Sequence, residues 1–165
     1  MEDALIIIGC ILIVLVVICI IKAILFVDNT DYNKQGEEIE LEKDDIVNKL
    51  GELIKIPTIS YEDETLIDYT VYHQYIDKVK ELYPNVCKSC EYELTKDLVL
   101  KFKLKGKSSD KPTVLMAHYD VVPVTEGWEL NPFLGKVVDG YLYGRGTLDT
   151  KNTMACALSA LEKAL

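Results

Sequence analysis

Hydrophobic and polar positions divide the chain into a long apolar segment, a polar stretch, and a region with helical and strand periods. Residues 4–21 carry no charged side chain, and after Lys22 the apolar residues continue to Val27. As a helix, residues 4–27 would be about 36 Å long, which exceeds the roughly 30 Å of a bilayer's hydrocarbon core. We therefore predict an N-terminal transmembrane anchor over residues 1–27.

Two other interpretations of the apolar segment are weaker. A cleaved signal peptide would begin with basic residues and have an apolar region of about 7–15 residues. Here Glu2 and Asp3 stand where basic residues would be expected, and the apolar region is longer. A buried core helix is disfavoured by the length of the all-round apolar surface. Lys22, on the C-terminal flank, weakly places the rest of the chain in the cytoplasm by the positive-inside rule.

The polar and acidic residues 28–40 predict a linker. After it, apolar residues at three- and four-residue spacing predict one helix from Leu41 to just before Pro57 and another from Asp63 to Leu82. The second helix should bury one stripe of its side chains: Leu66, Tyr69, His73, Ile76 and Val79.

Beyond Leu82 the period changes to that of strands, which we predict over residues 86–94 and 97–104. A third strand, Thr113–Ala117, has no polar alternation and should be buried on both faces in the centre of an α/β sheet. A strand pair near residues 135–143 and a helix from Thr150 follow. Because that helix lacks a stop signal at Leu165, we expect residues 41–165 to be the N-terminal portion of an incomplete α/β domain.

Charge and cysteine spacing narrow the function. The chain has 18 Lys and Arg against 27 Asp and Glu, a net charge of −9. This balance argues against a nucleic-acid partner, since binding to phosphates depends on Lys and Arg. Cys87-Lys-Ser-Cys90 has the spacing of a metal or redox pair, but no second pair accompanies it, so a structural role is favoured.

Candidate chemistry lies at the end of the predicted buried strand. His118 and Asp120 are two positions apart, so in a strand they project from the same face. Ligand sites in open α/β sheets collect at the carboxyl ends of strands. Asp120 can hold one ring nitrogen of His118 and leave the other for a metal. Taken alone, His118 fits an ordinary core histidine at least as well.

A second segment of this kind, Gly144-Arg-Gly-Thr-Leu-Asp149-Thr-Lys151, precedes the last helix. Its Gly-x-Gly could cradle a phosphate, but the third glycine of a dinucleotide fingerprint is missing. Asp149 could be a plain helix cap or a carboxylate that bridges two metal ions beside His118. The pattern assigns no role to Lys151.

Together these segments resemble the M20 family of zinc-dependent peptidases and aminoacylases, and within it the branch of carboxypeptidase S and PM20D1-like proteins. The matching motifs are Met116-Ala-His118-Tyr-Asp120-Val-Val-Pro123, Gly127-Trp128 with Pro132-Phe133, and Asp139-Gly-Tyr-Leu-Tyr-Gly-Arg-Gly-Thr-Leu-Asp149-Thr-Lys151. The resemblance covers about residues 42–165, and the order and spacing of its motifs make it specific.

The resemblance implies a zinc-exopeptidase-like α/β catalytic domain with two zinc ions in its complete site. His118 would bind one zinc ion, Asp149 would bridge both, and Asp120 would orient His118 as part of the catalytic machinery. The remaining ligands, a general-base glutamate and a lid domain would lie beyond Leu165, so we expect the 165 residues alone to be inactive. Family precedent would place the catalytic domain outside the cytoplasm, against the indication from Lys22.

The leading hypothesis is therefore the N-terminal part of a membrane-anchored M20-type metallohydrolase, a carboxypeptidase or aminoacylase that cleaves peptide or N-acyl amide bonds. Its partners would be that substrate and the membrane, through residues 4–27. The alternative is a non-catalytic membrane-tethered module that ends at Leu165. The coding sequence downstream separates them, because an open frame with a Glu-Glu pair favours the enzyme. A nucleotide-binding protein is disfavoured by the incomplete glycine pattern.

Overall fold

The computed structural model describes residues 2–27, 40–108, 110 and 112–165. The predicted linker, residues 28–40, therefore lies outside the described residues except at its last position. The chain forms two compact units, Met1–Ile39 and Glu40–Leu165.

The first unit contains helix α1, Glu2–Ile24. Within it, Leu5–Ile24 is long and apolar enough to cross a membrane. A signal sequence near an N-terminus has the same properties. The finding is therefore one apolar N-terminal helix.

The second unit mixes helices and strands, as the sequence predicts. Its elements are α2 (Lys43–Ile54), a short 3-10 helix (Glu64–Leu66), α3 (Tyr69–Leu82), α4 (Pro84–Ser89), β1 (Glu91–Thr95), β2 (Val99–Lys103), β3 (Lys136–Val138), β4 (Tyr141–Tyr143) and α5 (Lys151–Ala164). Strands β1 and β2 form one antiparallel pair and β3 and β4 another. The predicted helices over 41–56 and from Thr150, and the strand pair near 135–143, are confirmed.

The hydrophobic core lies among the four helices of this unit, where α2 packs against α3 and α5, and α4 packs against the same two helices. Its centre is formed by buried side chains of all four: Leu50, Leu53, Ile54, Tyr75, Val79, Tyr83, Val86, Met154, Ala155 and Leu158. Glu162 joins α5 to α4 by accepting hydrogen bonds from the backbone N–H groups of Asn85 (2.9 Å) and Val86 (2.8 Å). N–H groups of the first helical turn have no partner within the helix, and a negative carboxylate at this end interacts favourably with the helix dipole.

Two predicted elements are wrong in part, the start of the strand after Pro84 and the start of the helix before it. The residues predicted as a strand over 86–94 begin instead with α4, because proline suits the first turn of a helix as well as it ends the preceding one. Helix α3 begins only after Asp68, whose side chain accepts from the Thr70 N–H. The buried side of α3 carries Tyr72 and Tyr75, while His73, which we predicted on the buried stripe, is exposed.

The predicted central strand Thr113–Ala117 is also wrong. Its residues form no strand, and Val114 and Met116 are 71% and 84% exposed. A central strand needs a hydrogen-bonded neighbour along each edge and packed elements over both faces. In the part of the chain that the structure describes, no strand lies beside residues 113–117.

Candidate metal centre

A short pairing of two extended segments positions the histidine motif. Ser60 donates its N–H to the Val121 carbonyl (2.9 Å), and Val121 donates its N–H to the Thr58 carbonyl (2.8 Å). The buried Thr58 hydroxyl also donates to the Tyr119 carbonyl. These bonds keep residues 119–121 extended, which is the condition for a side-chain period of two.

The period of two separates the core side chains of this segment from the polar ones. Val121 is buried, and the Tyr119 ring stacks on Tyr75 with their centroids 4.7 Å apart. The side chains of His118 and Asp120 alternate with these and stay 51% and 43% exposed. The structure thus brings His118 and Asp120 together as the sequence predicts.

His118 lies between two carboxylates. Its Nδ1 atom is 3.2 Å from Asp120 Oδ1 and 3.1 Å from the Asp120 carbonyl oxygen, and its Nε2 atom is 3.0 Å from Asp149 Oδ1. Partial burial lowers the pKa of His118, but the hydrogen bonds and charges of Asp120 and Asp149 outweigh it, so the pKa lies above its ordinary value. The fold therefore brings the Asp149 carboxylate to the His118 ring, although the two residues are distant in sequence.

This arrangement fits a divalent metal. If Nδ1 donates its proton toward Asp120, the lone pair of Nε2 faces the Asp149 carboxylate oxygen. Two acceptors at 3.0 Å require a shared proton or a cation between them, and both atoms can lie within about 2.1 Å of one zinc ion. A histidine fixed by a carboxylate at its other nitrogen is the usual form of a protein zinc ligand.

The loop before α5 presents Asp149 to this histidine. Gly146 has a positive φ of 92°, and a Cβ atom there would lie 3.0 Å from a Val121 methyl carbon, so glycine is required for this close approach. Next to Asp149, the Thr150 hydroxyl donates to the His118 carbonyl (3.0 Å) and accepts from the His118 N–H (3.3 Å). Thr150 was not singled out in the sequence, because only the fold brings it to His118.

Lys151 is fully buried at the start of α5. Its Nζ donates to the carbonyl oxygens of Leu53 (3.1 Å) and Ile56 (2.8 Å), and it lies 4.8 Å from the centre of the Tyr75 ring. Burial lowers the pKa of Lys151 to about 7, and the charge of Asp120 opposes this shift. Lys151, to which the sequence pattern assigns no role, therefore connects the Asp149 loop to the end of α2.

An open cavity of about 280 Å³ adjoins His118 and Asp149. Val122, Trp128 and the loop 144–149 line it as well, and the Arg145 guanidinium lies 5.1 Å from the centre of the Trp128 ring. Asp149 itself is 82% exposed at this cavity. The two candidate ligands are therefore open to a molecule that enters from solvent.

The candidate centre is partial. Among the described residues, no group of three or more His, Cys, Asp and Glu side chains is placed to hold a metal ion. Cys87 and Cys90 are free, and burial raises the pKa of both thiols, which disfavours the thiolate form that binds metals. His118 and Asp149 would thus supply two ligands of a set that needs more.

Known proteins share this part of the chain. Residues 114–165 match the family described as Peptidase family M20/M25/M40. The chain is 37% identical over 127 residues to an uncharacterised carboxypeptidase of Schizosaccharomyces pombe (72% of this chain, 21% of that protein). It is 38% identical over 113 residues to the human N-fatty-acyl-amino acid synthase/hydrolase PM20D1 (66% and 22%). It is 30% identical over 131 residues to carboxypeptidase S of Saccharomyces cerevisiae (72% and 23%).

The aligned part therefore amounts to between 21% and 23% of the length of these curated relatives. The site residues His118, Asp120 and Asp149 all lie within the matched 114–165 segment.

Proposed function

Because residues 114–165 match peptidase family M20/M25/M40 and the chain is similar to carboxypeptidases of that kind, we propose that it forms part of the catalytic domain of a zinc-dependent hydrolase. The reaction is hydrolysis of a peptide or N-acyl amide bond next to a free carboxylate. Two relatives bear the names of a carboxypeptidase and of an N-fatty-acyl-amino acid synthase/hydrolase, which supports both forms of that bond. The whole protein, of the relatives' length, would carry the activity.

One observation carries the proposal. His118 is placed between Asp120, which holds Nδ1, and Asp149, whose oxygen is 3.0 Å from Nε2. The sequence alone supplies these residue types without their distances. The geometry adds that the ring nitrogen free of Asp120 is the one directed at the second carboxylate, as metal binding at Nε2 requires.

Each residue then has a separate task. His118 and Asp149 would hold zinc, and Asp120 would keep the His118 ring oriented so that its Nε2 lone pair stays free for the metal. When bound, zinc polarises the scissile carbonyl and lowers the pKa of water. The cavity beside His118 admits the substrate, and the backbone bonds of residues 58–60 keep the histidine segment in place.

Removal of the metal tests the zinc requirement. We expect dialysis of the whole protein against a chelator to abolish hydrolysis of N-acyl amino acids and of peptides with a free C-terminal carboxylate. Stoichiometric zinc should restore it, because the protein residues alone supply no comparable electrophile. Hydrolysis that persists in protein shown to be metal-free by elemental analysis would contradict the proposal.

We also propose that residues 4–27 anchor the protein in a membrane, with the catalytic part outside the cytoplasm. Leu5–Ile24 has the length and composition for a span. The protein should stay with membranes after alkaline carbonate extraction, and protease added on the cytoplasmic side should leave residues 40–165 intact. Release by carbonate, or loss of residues 1–27 from the mature protein by mass, would contradict anchoring, and cytoplasmic digestion would contradict the orientation.

A further inference from the structure

We propose that Ser60 is a positioning residue for the metal centre, which holds the Asp120 carboxylate so that this group can orient His118. The inference rests on the proposed function, because it assigns a second role around the same histidine. Ser60 lies 60 residues before Asp120 in the loop after α2, and the sequence pattern alone gives no reason to join them.

The contacts divide the two oxygens of Asp120 between two partners. The Ser60 hydroxyl donates to Asp120 Oδ2 at 2.9 Å, while Asp120 Oδ1 lies 3.2 Å from His118 Nδ1. A carboxylate rotates easily about its terminal bond, because that torsion has a broad energy minimum. With one oxygen held by Ser60, the other stays directed at the imidazole.

Ser60 is itself held by backbone bonds. Its N–H donates to the Val121 carbonyl, and the Val121 N–H donates to the Thr58 carbonyl, so the Ser60 and Asp120 segments are paired as in a parallel bridge. The backbone pairing of the two segments therefore already places the Ser60 hydroxyl beside Asp120. Such preorganisation lowers the entropy cost of the hydrogen bond.

Lys151 fixes the base of the same loop. Its buried amine donates to the carbonyl oxygen of Ile56, four positions before Ser60, and to that of Leu53 at the end of α2. Lys151 is also two positions after Asp149. Through this side chain, the segment that carries one metal ligand holds the loop that orients the other.

An alternative partner for the Ser60 hydroxyl is the Val121 carbonyl, at 3.5 Å. That distance is too long for a good O–H donor, whose bonds lie at about 2.5–3.0 Å. The charged Asp120 oxygen at 2.9 Å is the stronger acceptor. A role confined to the backbone contact would predict that loss of the hydroxyl changes stability but not metal binding.

The test compares Ser60→Ala, Ser60→Thr and Ser159→Ala in the whole protein. Ser159→Ala is the matched control, since it removes a buried hydroxyl that contacts Tyr83 instead of Asp120. We measure the zinc dissociation constant, the 15N NMR signals of the His118 ring in metal-free protein, and kcat and KM. Thermal unfolding of each variant records its stability.

Ser60→Ala should weaken zinc binding roughly tenfold, as loss of outer partners of a metal ligand does. It should also broaden or shift the His118 Nδ1 signal and lower kcat with little change in KM. Ser60→Thr should restore all three because it keeps the hydroxyl, and Ser159→Ala should leave them unchanged at lower stability. Wild-type zinc affinity and ring signals in Ser60→Ala would overturn the inference.

His118→Ala separates this inference from the function beneath it. If His118→Ala loses zinc while Ser60→Ala binds it like the wild type, only the positioning role fails. If His118→Ala keeps full zinc affinity, the proposed metal centre fails and the role of Ser60 fails with it.

Discussion

Replacement of His118 or Asp149 by alanine is expected to remove zinc from the whole protein and to lower its hydrolytic rate by roughly 1,000-fold or more. The metal contributes several kcal/mol of transition-state stabilisation, and about 1.4 kcal/mol corresponds to a factor of ten in rate. Each variant removes one of two ligand atoms that lie 3.0 Å apart. The measurements are zinc content by elemental analysis and kcat/KM for N-acyl amino acid hydrolysis.

The chain provides a matched control. It has two histidines, and the other, His73, is exposed on α3 and does not line the cavity beside His118. His73→Ala removes the same side chain and should leave zinc content and kcat/KM unchanged. Zinc content and activity that survive in both His118→Ala and Asp149→Ala would show that these residues are not ligands.

Gly51→Ala is expected to destabilise the fold by about 2 kcal/mol, the middle of the range for overpacked sites. A Cβ atom at Gly51 would lie 2.6 Å from the Gly135 carbonyl oxygen, and a Cβ atom at Gly135 would likewise clash with the Gly51 carbonyl oxygen, so the two backbones are already in close contact. Alanine is the better helix former by about 1 kcal/mol, so a simple propensity argument predicts the opposite sign. We expect the steric clash at this backbone contact of α2 to outweigh the higher helix propensity of alanine.

Denaturant unfolding of the two proteins measures this difference. Gly106→Ala is the control, because its new Cβ atom would lie 3.6 Å from the nearest carbonyl oxygen, an ordinary contact. It should change the free energy of unfolding by less than about 0.5 kcal/mol, as most surface substitutions do. A Gly51→Ala protein as stable as the parent would show that α2 does not pack against Gly135 as described.

Local patterns could be predicted from the sequence. The apolar spacing of α2 and α5 and the short β3–β4 pair depend on neighbours within a few residues, and the structure has them within two or three positions of the prediction. The period of two at His118 and Asp120 was enough to place both beside each other. Those features rest on helix and strand geometry, which a sequence displays directly.

Contacts between distant residues could not be predicted in this way. The amine of Lys151 meets carbonyls 95 and 98 residues earlier, and Ser60 meets Asp120 across 60 residues. Neither partner leaves a periodic signal. The prediction that Thr113–Ala117 is buried was wrong for a related reason. An apolar run indicates a tendency to be buried, but the elements that pair with it and cover it are determined by the topology of the fold.

The central claim is that His118 and Asp149 bind the same metal centre, and anomalous diffraction at the zinc edge from crystals of the whole protein tests it most directly. We expect a zinc peak within about 2.0–2.2 Å of His118 Nε2 and of an Asp149 carboxylate oxygen, with Asp120 still against Nδ1. Zinc bound elsewhere, with His118 Nε2 hydrogen-bonded directly to Asp149, would contradict it.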